Sequence, residues 1–99
     1  MLRGDPLIPV ATEFDWDEAN VEHIARHNVS PEEAEQAYAD PKRINCGTRR
    51  VGQESRGIIL GRTDAGRILF LVFTKREGAI RIFSVREATQ DEKKRYRKR

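Results

Sequence analysis

The chain has almost no cysteine, few aromatics and no long apolar run, and each shortage removes a class of protein. Its single cysteine, Cys46, cannot form an internal disulfide, so the fold cannot be a stapled secreted scaffold. With no base evident beside it, Cys46 reads as a small, half-buried apolar residue rather than a nucleophile. No stretch approaches the eighteen or so apolar residues of a membrane span. The opening "MLRGDPLIPVATEF" lacks the apolar segment of a secretion signal, so a cytoplasmic protein with no membrane contact is expected. One tryptophan, two tyrosines and four phenylalanines in 99 residues suffice for one modest core and no second domain. Histidine is scarce too. His23 and His27 stand four apart in "NVEHIARHNVSPEE", and no cysteine or histidine pair elsewhere completes a zinc set, so no metal or other cofactor is expected.

What the chain does carry is charge, unevenly distributed. Residues 1–41 hold ten acids against two bases, a net of −8; residues 42–99 hold seventeen bases against six acids, a net of +11. Separate acidic and basic faces follow if these segments fold apart, and the basic one would attract a polyanion. The basic end "KKRYRKR" has to lie at the surface and suits nucleic acid or an acidic protein.

Local patterns predict an α+β domain over residues 12–99, preceded by a flexible arm at 1–11 that has two prolines and no periodicity. "TEFDW" reads as a short strand bringing Phe14 and Trp16 to the core. Asp15 or Asp17 caps a first short helix carrying Val21 and Ile24. Asn28 suits the left-handed residue that ends it. "SPEE" is a strong start for a second helix over about 31–39, stopped by Asp40-Pro41. These two helices are expected to pack on an antiparallel meander of three to five strands. "RINC" is a weak strand signal, whereas "RGIILGRT", "RILFLVFT" and "AIRIFSV" are strong ones joined by the turns "DAG" and "KREG". In "RILFLVFT" both alternate sets are apolar, so that strand is central and covered on both faces. In "AIRIFSVR" strict alternation sets Ile80, Ile82, Ser84 and Arg86 on one face and Arg81, Phe83 and Val85 on the other. A basic C-terminal helix opens at "ATQDE", where Thr89 and Glu92 have capping-box spacing; beyond Ala88 and Tyr96 it has little to bury.

Two readings of the histidines stay open. One is structural, His27 meeting the negative end of the helix dipole and His23 bonding to a neighbouring strand; the other is direct contact with substrate. The strands and last helix supply a second constellation of Arg62, Lys75, Arg81, Arg86, Glu87, Glu92 and Tyr96. Arginines at strand ends are either solvated edges or a phosphate clamp, since guanidinium binds phosphate oxygens bidentately.

At this level the chain resembles a known family. "FDWDEANVEHIARHNVSPEEAEQAYADP", "GRTDAGRILFLVFT" and "IRIFSVREATQDEKKRY" are similar, in that order, to the BrnT toxins of bacterial toxin–antitoxin pairs, over about residues 13–97. The resemblance implies a RelE-like fold and a ribonuclease needing no metal or cofactor, neutralised by a cognate antitoxin that alone binds operator DNA. A dimer or a heterotetramer with the antitoxin is the implied assembly. The family's motif positions fall on Trp16, Asp17, His27, Arg62, Ser84, Arg86, Glu92 and Tyr96. Three residues depart from the pattern: Asn28 replaces a glycine, Val85 an alanine, and Asn20 stands near a common lysine. The chemistry implied is attack by the RNA's own 2′-hydroxyl on the adjacent phosphate. Arg62 and Arg86 neutralise charge, Glu92, Tyr96 or His27 moves protons, and Lys75, Arg81, Lys93, Lys94 and Arg97 hold RNA. The alternative is a catalytically weak relative acting as a protein-binding partner in an autorepressing complex. A third reading is a free-standing nucleic-acid-binding protein.

Overall fold

The computed structural model describes residues 13–98; the arm expected at 1–11 lies outside them. The order is α1 (Glu18–Ala25), α2 (Pro31–Ala39), β1 (Ile44–Val51), β2 (Glu54–Arg62), β3 (Ile68–Arg76), β4 (Ala79–Glu87) and α3 (Gln90–Lys98). The strands form one antiparallel sheet in sequence order, β1-β2-β3-β4. Of the expected first strand, the described residues form only an isolated parallel bridge, Phe14 to Ile80 at the β4 edge. The weak "RINC" signal, in contrast, grows into the eight-residue β1.

Helix starts follow their local chemistry. Asp17, not Asp15, caps α1 by accepting the amide of Asn20 at 2.8 Å. Ser30 and Glu33 close a reciprocal capping box on α2, with Pro31 at the first turn. Between the two helices Asn28 takes the left-handed conformation at φ 61°, which asparagine tolerates in place of glycine.

The sheet divides the core in two. On one face α1 and α2 bury Ile24, Val29, Ala34 and Ala37 against Ile59, Leu69, Leu71, Ile80, Ile82 and Val85, flanked by Trp16, Tyr38 and Phe73. On the other, α3 covers Leu60, Ile68 and Phe70 with Ala88 and Tyr96, and half-buried Cys46 packs at its margin as an apolar residue. β3 is therefore covered on both faces, as its two apolar sets require.

α2 lies unusually close to β2. A Cβ built on Gly61 would sit 2.0 Å from the carbonyl oxygen of Ala37, so only glycine permits this approach. A β-bulge between Val72–Ser84 and Phe73–Ile82 leaves Phe83 as the extra residue of β4. It corrects the strict alternation expected for that strand. Ile80, Ile82 and Val85 all face the α1/α2 layer, whereas Arg81, Phe83, Ser84 and Arg86 share the opposite face. Asn20, buried in α1, donates to the Ile82 carbonyl beside this bulge at 3.2 Å, so that position serves helix docking on the side of the sheet away from Arg86.

Candidate nucleic-acid interface

The bulge creates a face rich in arginine. Arg56, Arg62 and Arg76 join it from β2 and β3, next to Arg81 and Arg86 of β4. Glu54 binds both Arg56 and Arg76, at 3.2 and 3.0 Å. The Arg56 guanidinium lies 3.6 Å from the centre of the Phe83 ring, reaching across β3. That span explains why Val72 and Thr74 are buried where no helix covers them. Arg86 lies 4.0 Å over Phe70. Two guanidiniums stacked on aromatic rings thus stand on one face, an arrangement that holds a planar cation by its face and turns its N–H edge to oxygen partners, here the carboxylates of Glu54 and Glu92.

Arg86 and Glu92 form the tightest polar unit of this face. Both guanidinium nitrogens donate to the carboxylate, at 2.8 and 3.0 Å. Glu92 has a second task, since its Oε1 also accepts the amide of Thr89 while its own amide donates to Thr89 Oγ1, capping α3. The Arg86 hydrogen bonds, followed by the Thr89 amide, hold the Glu92 carboxyl below its ordinary value of 4.5 despite partial burial. A lowered folded-state pKa contributes stability that is complete above the ordinary glutamate range and lost as pH falls through the folded value. The docking of α3 should accordingly weaken only below pH 4.5. In Glu92→Gln this acid-induced loosening should diminish to the part due to Glu87, which also holds α3 through Lys93, read by amide exchange of α3; an identical acid profile in that variant would refute the assignment.

Tyr96 is buried, and its hydroxyl donates to Asp40 at 2.5 Å. The same carboxylate oxygen accepts the backbone amide of Arg62, tying α3, the end of α2 and the end of β2 together. The Arg62 guanidinium folds towards Gly66 in the β2–β3 turn and has no carboxylate partner among the described residues. Arg62 and Arg86 share the face on alternate strands, offset by two residues in register and so about 12 Å apart at the backbone.

The other candidates are distributed more widely. Lys93 is bound to Glu87 at 3.1 Å, and Lys94 and Arg97 are exposed on α3. Arg81 lies at the far end of the sheet, engaged by Asp15 and Asp17. It therefore ties the start of α1 to β4. Lys75, also distant, sits on the α1/α2 side by alternation with Phe73. His27 is exposed in the turn after α1, on the helical layer and not on the arginine face, with its ring 6.2 Å from that of His23. His23 is exposed and makes no hydrogen bond to a strand among the described residues, contrary to the structural role expected of it. Among those residues no group of three or more histidine, cysteine or acidic side chains is placed to hold a metal.

Arg56, Phe70 and Phe83 are not among the site residues expected from the sequence, and neither is Arg67. Arg67 donates to Glu33 and to the carbonyl of Asn28, at 2.8 and 2.9 Å, and also meets Glu87, joining both helices to the end of β4. Its position just after the "DAG" turn was the available signal, but its partners lie far along the chain.

Neither partly neutralised arginines nor a capped basic helix names a reaction. The family comparison does. No described helix is long and apolar enough to cross a membrane. No curated protein matches the chain. The model of the ribonuclease toxin BrnT of type II toxin–antitoxin systems matches residues 16–92, from the tryptophan before α1 to the glutamate that caps α3, and the chain belongs to that family of ribonuclease toxins.

Proposed function

We propose that this protein cleaves single-stranded RNA without a metal ion, on the arginine face of the sheet, and that a cognate antitoxin neutralises it. One observation carries the reading: Arg86, stacked on Phe70 and held bidentately by Glu92, shares a face with the unpaired Arg62 guanidinium. The RNA 2′-oxygen attacks the adjacent phosphorus, the bond from phosphorus to the 5′-oxygen breaks, and a 2′,3′-cyclic phosphate and a 5′-hydroxyl result. The 2′-hydroxyl proton leaves through a base, and the departing 5′-oxygen takes one up. Arg62 and Arg86 stabilise the extra negative charge on the pentacoordinate phosphorus.

Among the three proton carriers considered, Glu92 is best placed. Tyr96 is engaged by Asp40 beneath α3, and His27 stands on the other layer. With its pKa held low, Glu92 is ionised and a weak base, so charge stabilisation supplies most of the rate. Arg56 on Phe83 extends the cationic track for neighbouring phosphates, and Lys93, Lys94 and Arg97 border it from α3. The antitoxin pairs with the toxin in a dimer or heterotetramer and alone contacts operator DNA. A RelE-like fold fits the helix pair, the meander and the C-terminal helix.

End-group analysis of RNA treated with the purified protein in excess chelator tests this reading. Cyclic-phosphate and 5′-hydroxyl ends are expected. Ends of the opposite polarity, or activity that disappears with chelation, would refute it.

A further inference from the structure

A second cationic groove lies on the other layer of the molecule. Its cavity, about 550 Å³, is lined by Tyr38, Arg43, Asn45, Thr48 and Phe73 and contains no carboxylate. Its floor is aromatic, with Tyr38 edge-on to Phe73 at 5.0 Å between centroids. Phe73 is seated by Gly57, whose absent Cβ would otherwise meet the ring at 2.7 Å. The guanidinium of Arg43 lies 5.3 Å over the Tyr38 ring, and no acid among the described residues binds it. Asn45 spends its carbonyl oxygen on the Gly47 amide, leaving its NH₂ group as a donor. Lys75, two residues beyond Phe73 on the same face, adds a further cation without an acidic partner among those residues.

The groove continues around the start of β1. An adjoining cavity of about 680 Å³, lined by Lys42, Arg43, Ile44 and Asn45, shares two residues with the first. Ile44 itself packs into the α3-side cluster, so the second cavity lies at the sheet edge where β1 begins.

We propose that this groove holds a single-stranded flank of the RNA substrate, one base against Tyr38 and Phe73 and its phosphate on Arg43. The chemistry is that of single-strand platforms: aromatic rings for any base, cations along the backbone, and amide and hydroxyl groups for base edges. The absence of carboxylates from both cavities disfavours a cationic protein segment as the occupant. The site deepens the ribonuclease reading by giving the substrate a second anchor, and Lys75 belongs to this anchor and not to the cleavage face.

Binding of labelled 2′-O-methyl RNA, which cannot be cleaved through its 2′-oxygen, tests the groove by fluorescence anisotropy. Arg43→Glu and Thr48→Glu each place a carboxylate in it at an exposed position. For a single strand of about twelve nucleotides the expected loss of affinity is roughly tenfold, against less than about twofold for a strand of about four nucleotides and for a paired duplex. Unchanged binding of the longer strand in both variants would overturn the proposal and leave the groove to a protein occupant. Equal losses at both lengths would also overturn it, since the groove would then not be a separate anchor. The probe reports binding alone, so a negative end-group result would refute the cleavage mechanism without deciding this measurement.

Discussion

Arg86→Ala is expected to lower RNA cleavage by about 10²–10³-fold, the usual effect of losing one donor to a developing oxyanion. The fold should survive. The Arg86 side chain is 38% exposed, and an ion pair at that exposure is worth at most about 1 kcal/mol. Glu92 keeps its bonds to Thr89, so α3 retains its cap. Arg86→Lys separates two contributions, because lysine keeps the charge and loses both the bidentate geometry and the flat stack on Phe70. Its activity should fall between the parent and the alanine variant. Cleavage of a labelled oligonucleotide, read beside a thermal melt, makes the comparison. Parental rates in the alanine variant would exclude Arg86 from the reaction and shift attention to Arg62 or to the protein-partner reading.

Gly61→Val should destabilise the protein by about 3 kcal/mol or more, at or above the upper end of ordinary overpacking. The obstruction is backbone: the Ala37 carbonyl oxygen would lie 2.0 Å from the new Cβ and its carbon 2.7 Å. No side-chain rotation can relieve that contact, so α2 must move as a body. Asp40 follows directly on α2 and holds both the Arg62 amide and the Tyr96 hydroxyl, so the displacement would also disturb α3 on the far face. Gly57→Ala is the informative comparison, since its obstacle is the Phe73 ring, which can tilt, and its cost should be smaller. Urea unfolding of the two variants measures the difference. A Gly61→Val protein within about 0.5 kcal/mol of the parent would show that α2 is not fixed by this approach.

How legible the chain was depended on how far apart the interacting residues stand. Ser30 with Glu33, and Thr89 with Glu92, declare their helix starts because capping is settled within four residues. The double apolar set of β3 likewise declares a strand covered on both faces. The bulge at Phe83 was hidden, because an extra residue is decided by the pairing of β4 with β3 and leaves no mark in β4 alone. Missing it sent Ser84 and Arg86 to the wrong side of the sheet. The Arg56–Phe83 stack was hidden for a related reason: it joins strands that are not neighbours, across a third. Arg86 and Glu92 could be singled out in the sequence as members of one constellation, but not the bidentate bond between them, which depends on how the end of β4 meets the start of α3.

That bulge also has an arithmetic consequence. Arg81 and Arg86 are five residues apart, an odd interval that in a regular strand would put them on opposite sides; the inserted Phe83 makes the interval even in its effect. The bulge that absorbs this one residue therefore sets the polarity of everything beyond it, keeping Val85 with the core and Arg86 with the solvent. Deleting Phe83 would leave Arg81 and Arg86 four apart on a regular strand, with Val85 still inward and Arg86 still outward, whereas pairing Phe83 into the ladder as an ordinary residue would drive a guanidinium into the packed layer and bring a valine out. On this strand the way residues are paired is as much a determinant of the electrostatic face as their identity.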